Sequence, residues 1–364
     1  MKIAFSLFRF FPFGGLQRDM LAIGAELVSR GHDVTIFTRD WQGEMPADMT
    51  VQTLPNRAIS NHAADARFAR SVRSHWRGFD VCVGFNKMAG LDFYYAADGC
   101  IAASAGRGPK YWLPRYRTRL AMEASVFAAQ AQTRILSISP PQKALYQQVY
   151  GTDDSRFVDL PPGIRRDRQM PADYPARRAA HRSALGLVEG ARLLLFVGSG
   201  FRTKGLDRAL VAAAAVMGKD DRFVVVGADR DGPYQRQAAA AGIAAQVMFV
   251  GGQDNIPEWL WAGDLLLHPA YAENTGTVLL EAAIAGMPVL TTSACGYAPY
   301  IHSSGMGSVI DAGEVSDQQL EDHARALLRV PRESWLPKAR AFADHADIYS
   351  LVAHAADAIL EDRP

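Results

Sequence analysis

Two glutamates flank a predicted helix start in the second half of the chain. Glu273 comes before residues 274–276, whose types are typical of a helix N-terminus, and Glu281 follows about a turn and a half inside the helix. The free N–H groups of the first turn can hold a diphosphate, and carboxylates accept hydrogen bonds from sugar hydroxyls. The segment therefore fits a nucleotide-sugar, but glutamate pairs at this spacing are common and the spacing alone is weak evidence.

A lysine after an earlier predicted strand would add a positive charge to the same ligand. The strand ends at Gly198, and the loop that follows contains Arg202, Thr203, Lys204 and Gly205. A lysine on its flexible stem can reach a phosphate as a point charge. The alternative is an ordinary solvated lysine in a loop.

Two glycines open the first predicted helix. Gly14 and Gly15 follow the first strand, and glycine lets the backbone approach an anion at a helix N-terminus. The full dinucleotide fingerprint G-x-G-x-x-G is absent from this turn, which counts against NAD as a ligand and leaves a phosphate open. Two glycines in a turn are also common for purely structural reasons.

Metal and nucleophile chemistry have weaker support in the sequence. Asp229 and Asp231 fit the D-x-D metal signature, but they lie in a predicted polar turn after a strand. The nine histidines lack metal-ligand spacing, and His268 is interpreted as a structural residue at a strand end. The three cysteines are too scattered for a disulfide framework or a metal site. We therefore expect no metal and no cofactor beside the substrate.

These residues are positioned by strands that alternate with helices. Apolar runs followed by helical periodicity are typical of βαβ units with a parallel sheet. The pattern lapses between about residues 161 and 190, where a segment with several prolines reads as a linker, and then starts again, which predicts two α/β domains, residues 1–165 and 166–346. A last amphipathic helix, residues 347–362, is expected to pack back on the first domain. The predicted strands are residues 2–8, 34–38, 81–85, 135–139, 192–198, 223–227, 247–250, 264–267 and 288–292.

Composition excludes several classes of protein. The 364 residues include 39 Lys or Arg and 38 Asp or Glu, and a net charge of +1 argues against a dedicated nucleic-acid-binding protein. Hydrophobic residues are 49% of the chain, too many for a disordered protein, yet no apolar run is long enough to span a membrane. The few cysteines and the lack of a signal-peptide pattern indicate a cytoplasmic protein. The first 165 residues carry 20 Lys or Arg against 14 Asp or Glu. This excess of positive charge suggests that the first half contacts an anionic surface or substrate; the alternative is that it arises by chance.

Seven segments together resemble the retaining glycosyltransferases of family 4, which have the GT-B architecture. The resemblance runs over essentially the whole chain, and the long motif at residues 11–19 makes it strong. It implies an α/β fold of two Rossmann-like, doubly wound domains that face a central cleft. The segments are Phe11-Pro12-Phe13-Gly14-Gly15-Leu16-Gln17-Arg18-Asp19, Gly84-Phe85-Asn86-Lys87-Met88, Leu160-Pro161-Pro162-Gly163-Ile164, Lys204-Gly205, His268-Pro269-Ala270-Tyr271, residues 273–281 and Cys295-Gly296-Tyr297-Ala298.

The resemblance also implies a role for each candidate residue. Catalysis would involve Asp19 on the acceptor side, Lys204 at the diphosphate and Glu273 at the donor sugar. Glu281 would hold the ribose of UDP. The family usually has an arginine directly before the lysine, where this chain has Thr203, and whether Arg202 substitutes for it is open. The residues that would contact the donor are Gly14, Gly15, Asp98, Arg202, Lys204, Glu273, Asn274, Thr275, Gly276, Thr277, Val278 and Glu281.

The implied reaction transfers a hexose, with glucose expected, from a UDP-sugar to a heptose of the lipopolysaccharide inner core with retention of configuration. The departing phosphate is expected to help take the acceptor proton in a front-face reaction. Asn274 and Thr275 stand where close relatives can carry smaller residues, so a UDP-N-acetylhexosamine donor is an alternative. Another glycolipid acceptor, a UDP-sugar epimerase and a non-catalytic nucleotide-sugar-binding membrane module are also open.

A basic and aromatic stretch favours docking to an anionic membrane surface. Residues 107–119 interleave basic and aromatic side chains, a combination that suits an anionic lipid interface. A second basic stripe, residues 67–77, is interpreted as the solvated face of an ordinary helix. We therefore expect an enzyme at the cytoplasmic face of the inner membrane, with UDP-hexose and the lipopolysaccharide core as partners and no nucleic acid. The candidate membrane residues are Arg107, Lys110, Trp112, Arg115, Arg117 and Arg119.

Overall fold

The chain folds into two compact units, each with its own parallel sheet. The structure is a computed structural model that describes residues 1–12, 14–56, 58, 60–105 and 112–361. The first unit contains Met1–Gly163 and Tyr349–Pro364, and the second contains Ile164–Ile348. The division between Gly163 and Ile164 lies beside the boundary that the sequence predicts at residues 165 and 166.

The first unit is built on a seven-stranded parallel sheet with the strand order β3-β2-β1-β4-β5-β6-β7. Successive residues of a strand point to opposite faces, so Ile3, Phe5 and Leu7 pack on one face of the sheet and Ala4 packs on the other. The strands are β1 (Lys2–Phe10), β2 (Asp33–Trp41), β3 (Thr50–Thr53), β4 (Val81–Gly84), β5 (Phe93–Ala96), β6 (Arg134–Ser137) and β7 (Phe157–Asp159). The helices are α1 (Gly15–Ser29), α2 (Asn61–Ser71), α3 (Ile101–Ala105), α4 (Pro114–Phe127) and α5 (Pro140–Tyr150).

The last helix of the chain belongs to this first unit. Helix α14 (Leu351–Glu361) packs against α1 and buries Leu351, Ala355 and Ile359 in the core on that face. Arg30 donates a hydrogen bond to Asp357 across the two helices at 2.5 Å. The apolar face of the tail is thus covered by the N-terminal part of the chain.

The second unit repeats the arrangement with a six-stranded parallel sheet. Its order β10-β9-β8-β11-β12-β13 follows the doubly wound scheme, in which the chain changes direction between two neighbouring central strands. The strands are β8 (Leu193–Val197), β9 (Arg222–Val226), β10 (Val247–Gly251), β11 (Leu265–His268), β12 (Val289–Thr292) and β13 (Gly307–Ile310). The helices are α6 (Tyr174–Ala184), α7 (Leu206–Val216), α8 (Gly232–Ala240), α9 (Ile256–Ala262), α10 (Thr277–Ile284), α11 (Ala298–Ser304), α12 (Asp317–Arg329) and α13 (Arg332–His345).

The strands that sequence patterns miss are short. The four residues of β5 are all buried, and such a short run shows no periodicity that separates a strand from a helix. Strand β3 is an edge strand whose residues are largely polar and exposed. Within the described residues, no helix is both long and apolar enough to cross a membrane.

Candidate active site

The loops after β8 and β11 meet at the point where the strand order of the second unit reverses. Ligands of doubly wound sheets bind at the carboxyl ends of the strands at such a point. Gly205 has a φ of +75°, and a Cβ atom there would lie 2.2 Å from the carbonyl oxygen of Pro269. Only glycine allows the two loops to approach this closely, which explains the glycine after Lys204.

Thr203 joins the two loops through its backbone. Its carbonyl oxygen accepts hydrogen bonds from the N–H groups of Tyr271 at 2.8 Å and Ala272 at 3.1 Å. The Thr203 hydroxyl donates a hydrogen bond to the carbonyl oxygen of Gly200 at 2.9 Å, so its proton is already used within the loop. Arg202 is exposed at the tip of the same loop.

Lys204 and Glu273 form an ion pair between the two loops. The lysine Nζ bonds to the glutamate Oε2, and the side chains keep only 22% and 15% of their exposure. The Nε2 atom of the completely buried His268 lies 3.6 Å from the same Oε2. Burial raises the pKa of Glu273, but His268 and Lys204 outweigh that effect and lower the pKa to about 2. The glutamate is therefore a carboxylate across the physiological pH range.

The start of α10 lies directly after this ion pair. Gly276 caps the helix with a φ of +82°, a backbone conformation that favours glycine. The first N–H groups of any helix have no partner within it, so the amides of Thr277 and Val278 are suited to an anion. Asn274 and Thr275 precede the cap and are half-buried.

Glu281 has a neighbour that the sequence analysis missed. The Nε atom of Arg168 lies 3.3 Å from Oε1 of Glu281, and both side chains are mostly buried. Arg168 belongs to the Pro-rich segment, whose irregular pattern gave no sign of a functional contact. The feature of the sequence that could have drawn attention to it is the charged run Arg165, Arg166, Asp167 and Arg168.

The first unit places three further candidates near each other at the start of its first helix. Gly14 caps α1, Gly15 begins it, and a Cβ atom on Gly15 would meet nothing within 4 Å. One turn later, Asp19 accepts a hydrogen bond from the Tyr95 hydroxyl at 2.9 Å and pairs with Arg18 at 3.2 Å. Burial raises the pKa of Asp19, although both neighbours oppose the rise.

A cavity of about 390 Å³ opens at the ends of β1, β4 and β5 of the first unit. Asp98 and Arg119 line it together, and α2 contributes Asp65 to the same wall. Seven of its eleven lining residues are polar or charged and lie beside apolar side chains, a mixture that suits a sugar with hydroxyl groups and apolar ring faces. The lining residues are Phe8, His62, Asp65, Asn86, Lys87, Asp98, Gly99, Ile101, Thr118, Arg119 and Met122.

A buried ion pair holds the loop that carries Asp98. Lys87 bonds to Glu123 at 2.6 Å and to the carbonyl oxygen of Gly99 at 2.8 Å. The Glu123 carboxylate also accepts the N–H groups of Ile101 and Ala102 at 2.8 and 2.9 Å. Since Glu123 is fully buried, removal of either charge would leave the other unpaired in the core. Lys87 thus has a structural task within the quoted Gly84–Met88 motif.

The two aspartates of the D-x-D pattern hold protein groups. Asp229 accepts the N–H groups of Phe201 at 2.9 Å and Arg230 at 2.7 Å, and these bonds lower its pKa. Asp231 accepts a hydrogen bond from Gln235 at 3.0 Å. The pair therefore shapes the turn after β9. Within the described ranges, no group of three His, Cys, Asp or Glu could hold a metal ion.

The candidate membrane residues occupy different environments. Trp112 is 76% exposed, and Arg115 and Arg117 are exposed on α4. Arg119, one helical turn beyond Arg115, lines the cavity of the first unit. Arg107 and Lys110 lie outside the described residues.

The folds of the two units, together with the charged site on the second, define a glycosyltransferase of the GT-B class. Residues 13–168 match the family described as Glycosyltransferase Family 4, and residues 177–346 match Glycosyl transferases group 1. The chain belongs to this family of glycosyltransferases, as the sequence motifs predict.

Individual glycosyltransferases are similar to this chain in sequence and in structure. The chain is 41% identical to the lipopolysaccharide glucosyltransferase WaaG of Escherichia coli (strain K12), over 99% of this chain and 98% of that protein. It is 31% identical to the D-inositol 3-phosphate glycosyltransferase of Nocardia farcinica (strain IFM 10152), over 84% of this chain and 75% of the other. A crystal structure of WaaG, described as a glycosyltransferase involved in lipopolysaccharide biosynthesis, superimposes with a TM-score of 0.90 at 39% identity and covers 99% and 100% of the two chains.

Proposed function

We propose that the protein transfers glucose from UDP-glucose to a heptose of the lipopolysaccharide inner core, with retention of configuration. The observation that supports this most strongly is the group formed by Lys204, Glu273 and the start of α10 at the strand-order reversal of the second unit. The 41% identity to a lipopolysaccharide glucosyltransferase supports the choice of donor and acceptor.

The donor would bind along the carboxyl edge of the second sheet. Lys204 and the amides of Thr277 and Val278 would hold the diphosphate, and Glu281 would accept hydrogen bonds from the ribose hydroxyls. Glu273, a carboxylate held beside Lys204, would accept hydroxyl hydrogen bonds from the hexose. The lysine and the N–H groups thus match the negative diphosphate, and the two carboxylates match the hydroxyl groups of the sugars.

In the reaction, the bond between the anomeric carbon and the diphosphate oxygen breaks, and an acceptor hydroxyl forms the new glycosidic bond on the same face. The departing phosphate oxygen takes the hydroxyl proton. Lys204 and the start of α10 stabilise the negative charge that develops on the diphosphate, an electrostatic contribution that exists before the reaction begins. No bound metal is needed in this scheme, because those groups already supply the positive charge and Asp229 and Asp231 are engaged with the protein.

The acceptor would bind to the first unit. The cavity lined by Asp65 and Arg119 has the size for a sugar. Asp98, which the resemblance places at the donor sugar, lines the same cavity and would then contact the acceptor instead. Asp19, with its raised pKa, lies at the start of the same unit's first helix and would contact the acceptor. Trp112, Arg115 and Arg117 would contact the anionic surface of the inner membrane, on whose cytoplasmic face the acceptor is presented.

A donor screen tests the proposed function. Purified protein is given radiolabelled UDP-glucose, UDP-galactose or either UDP-N-acetylhexosamine, with a truncated core acceptor that ends in heptose. We expect transfer of glucose with the anomeric configuration kept, and chelation of divalent cations should leave the rate unchanged. If no sugar is transferred from any of the donors, the proposal that the protein is a glycosyltransferase of this acceptor is wrong. If another sugar is preferred, the assignment of glucose as the transferred sugar is wrong.

A second acceptor keeps the acceptor assignment testable. D-inositol 3-phosphate is the matched alternative, because a 31% identical relative is a D-inositol 3-phosphate glycosyltransferase. Transfer to inositol phosphate in preference to the heptose acceptor would contradict the assignment to the lipopolysaccharide core.

A further inference from the structure

The side chain of His268 is polar and completely buried, and it lies behind the proposed donor site, beside Glu273. It is the last residue of β11 and has no exposed surface. Neither ring nitrogen has a hydrogen-bond partner among the residues that the structure describes. An unpaired buried polar group costs free energy, so its persistence calls for a partner in some state of the protein.

The candidate partner is Glu273. The Nε2 atom of His268 faces Oε2 of Glu273 at 3.6 Å, which is about half an ångström beyond hydrogen-bond range. The same Oε2 atom is bonded to Lys204. The lysine and the histidine therefore compete for one carboxylate oxygen, and in this structure the lysine holds it.

The surroundings fix the ring and keep it neutral. The imidazole packs nearly parallel to the Phe196 ring, with centroids 5.9 Å apart, and Thr291 bonds to the backbone carbonyl of His268 at 3.0 Å. Burial, and the charge of Lys204, lower the pKa of His268 against the opposing effect of Glu273. A neutral imidazole still carries one N–H donor.

We propose that His268 is a positioning residue that takes over the Glu273 carboxylate when Lys204 turns to the diphosphate of the donor. Without a hydrogen bond from His268, the Glu273 carboxylate would lose its fixed orientation once Lys204 had turned to the diphosphate, when the hexose hydroxyls need that carboxylate as an acceptor. With His268, a movement of about half an ångström restores a hydrogen bond and keeps Glu273 directed at the sugar. The proposal rests on the function proposed above, since it requires a sugar diphosphate at Lys204.

Three substitutions separate this role from simple packing. His268→Phe keeps an aromatic ring against Phe196 but removes the donor. His268→Gln places an amide N–H near the position of Nε2, whereas His268→Asn can reach only the position of Nδ1. Glutamine should therefore restore function and asparagine should not.

The measurements are the affinities for UDP and for UDP-glucose by titration calorimetry, the rate of transfer, and the thermal unfolding midpoint. For His268→Phe, we expect unchanged UDP affinity, because UDP lacks the hexose, but about tenfold weaker UDP-glucose binding and a slower transfer step. His268→Gln should recover most of both.

Two outcomes would overturn the proposal. One is a His268→Phe variant with the wild-type affinity for UDP-glucose and the wild-type rate. The other is an equal loss of UDP and UDP-glucose affinity in all three variants together with a lower unfolding midpoint, which would indicate packing alone. A wild-type protein that neither binds UDP-glucose nor transfers glucose would instead refute the proposed function.

Discussion

At the scale of single residues, the account depends on Lys204 and the carboxylate beside it. In the proposed function, the positive charge of the lysine would stabilise the negative charge that develops on the leaving group. Glu273 pairs with it through Oε2. The pair thus holds the lysine at the place where the proposed function puts the diphosphate.

Removal of the lysine charge should impair the chemical step. For Lys204→Ala, we expect transfer to slow by on the order of 100-fold, as for the loss of one preorganised donor. Steady-state transfer rates measure this, with Lys219→Ala, an exposed lysine in the same unit, as the matched control. An unchanged rate in Lys204→Ala would exclude the lysine from the mechanism, and Arg202→Ala in the same assay would show whether Arg202 acts in its place.

The depressed pKa of Glu273 makes a prediction about stability against pH. The folded-state pKa of about 2 lies below the ordinary value of 4.5, so between these values the unfolded chain binds more protons. The contribution of Glu273 to stability is therefore present above pH 4.5 and is lost as the pH falls towards 2. Unfolding midpoints of wild type and Glu273→Gln between pH 3 and 7 should converge at low pH; a constant difference would contradict the assigned pKa.

The site chemistry was more visible in the sequence than the contacts that orient it. Glycines, a lysine and two glutamates at helix starts have types that signal phosphate and sugar binding. For Arg168 and His268 the sequence gave only a charge run and a place in a family motif, because their contacts depend on a neighbour 113 positions away for the first and on complete burial for the second. Long-range pairing of this kind is set by the topology of the sheet, which local periodicity does not reveal.

At the scale of elements, glycine allows the loops after the strands to approach each other closely. Gly205 closes the approach between the loops after β8 and β11, while Gly15 at the start of α1 has open space beside it. The two glycines therefore predict opposite behaviour on substitution.

Alanine at these positions tests that contrast. Gly205→Ala combines a φ of +75° with a Cβ only 2.2 Å from a backbone oxygen, so we expect a lower unfolding midpoint and lost UDP binding. Gly15→Ala should keep the wild-type midpoint while it weakens donor or acceptor use. Gly252→Ala, which has room and an ordinary φ, is the control. Wild-type behaviour of Gly205→Ala would show that the loops do not need this contact.

Helix α4 carries basic residues with two different tasks. Both Arg117 and Arg119 are exposed, but Arg119 lines the cavity and Arg117, two residues earlier, points from nearly the opposite side of the helix. We expect Arg119→Ala to raise the KM for a soluble heptose acceptor about tenfold and to leave vesicle binding intact.

The matched variant is Arg117→Ala. It should weaken binding to anionic vesicles in a salt-dependent way and leave the KM for the soluble acceptor unchanged. If the two variants behave alike in both assays, the division of α4 into a cavity side and a membrane side is wrong.

At the scale of the whole molecule, the strand and helix alternation was sufficient to predict two α/β units and their parallel sheets. In the structure, Ser316 and Gln319 form a capping box at the start of α12. What the sequence did not reveal is the strand order. In both parallel sheets the strand order reverses between the first and the fourth strand of the unit, which lie side by side. That reversal decides which loops share a site.

The proposed function requires that a sugar nucleotide binds at the strand-order reversal of the second unit. A crystal structure of the protein with UDP-glucose tests this most directly. We predict the diphosphate within hydrogen-bond distance of Lys204 and the amides of Thr277 and Val278, and the ribose on Glu281. A nucleotide bound at any other place on the chain would contradict the account.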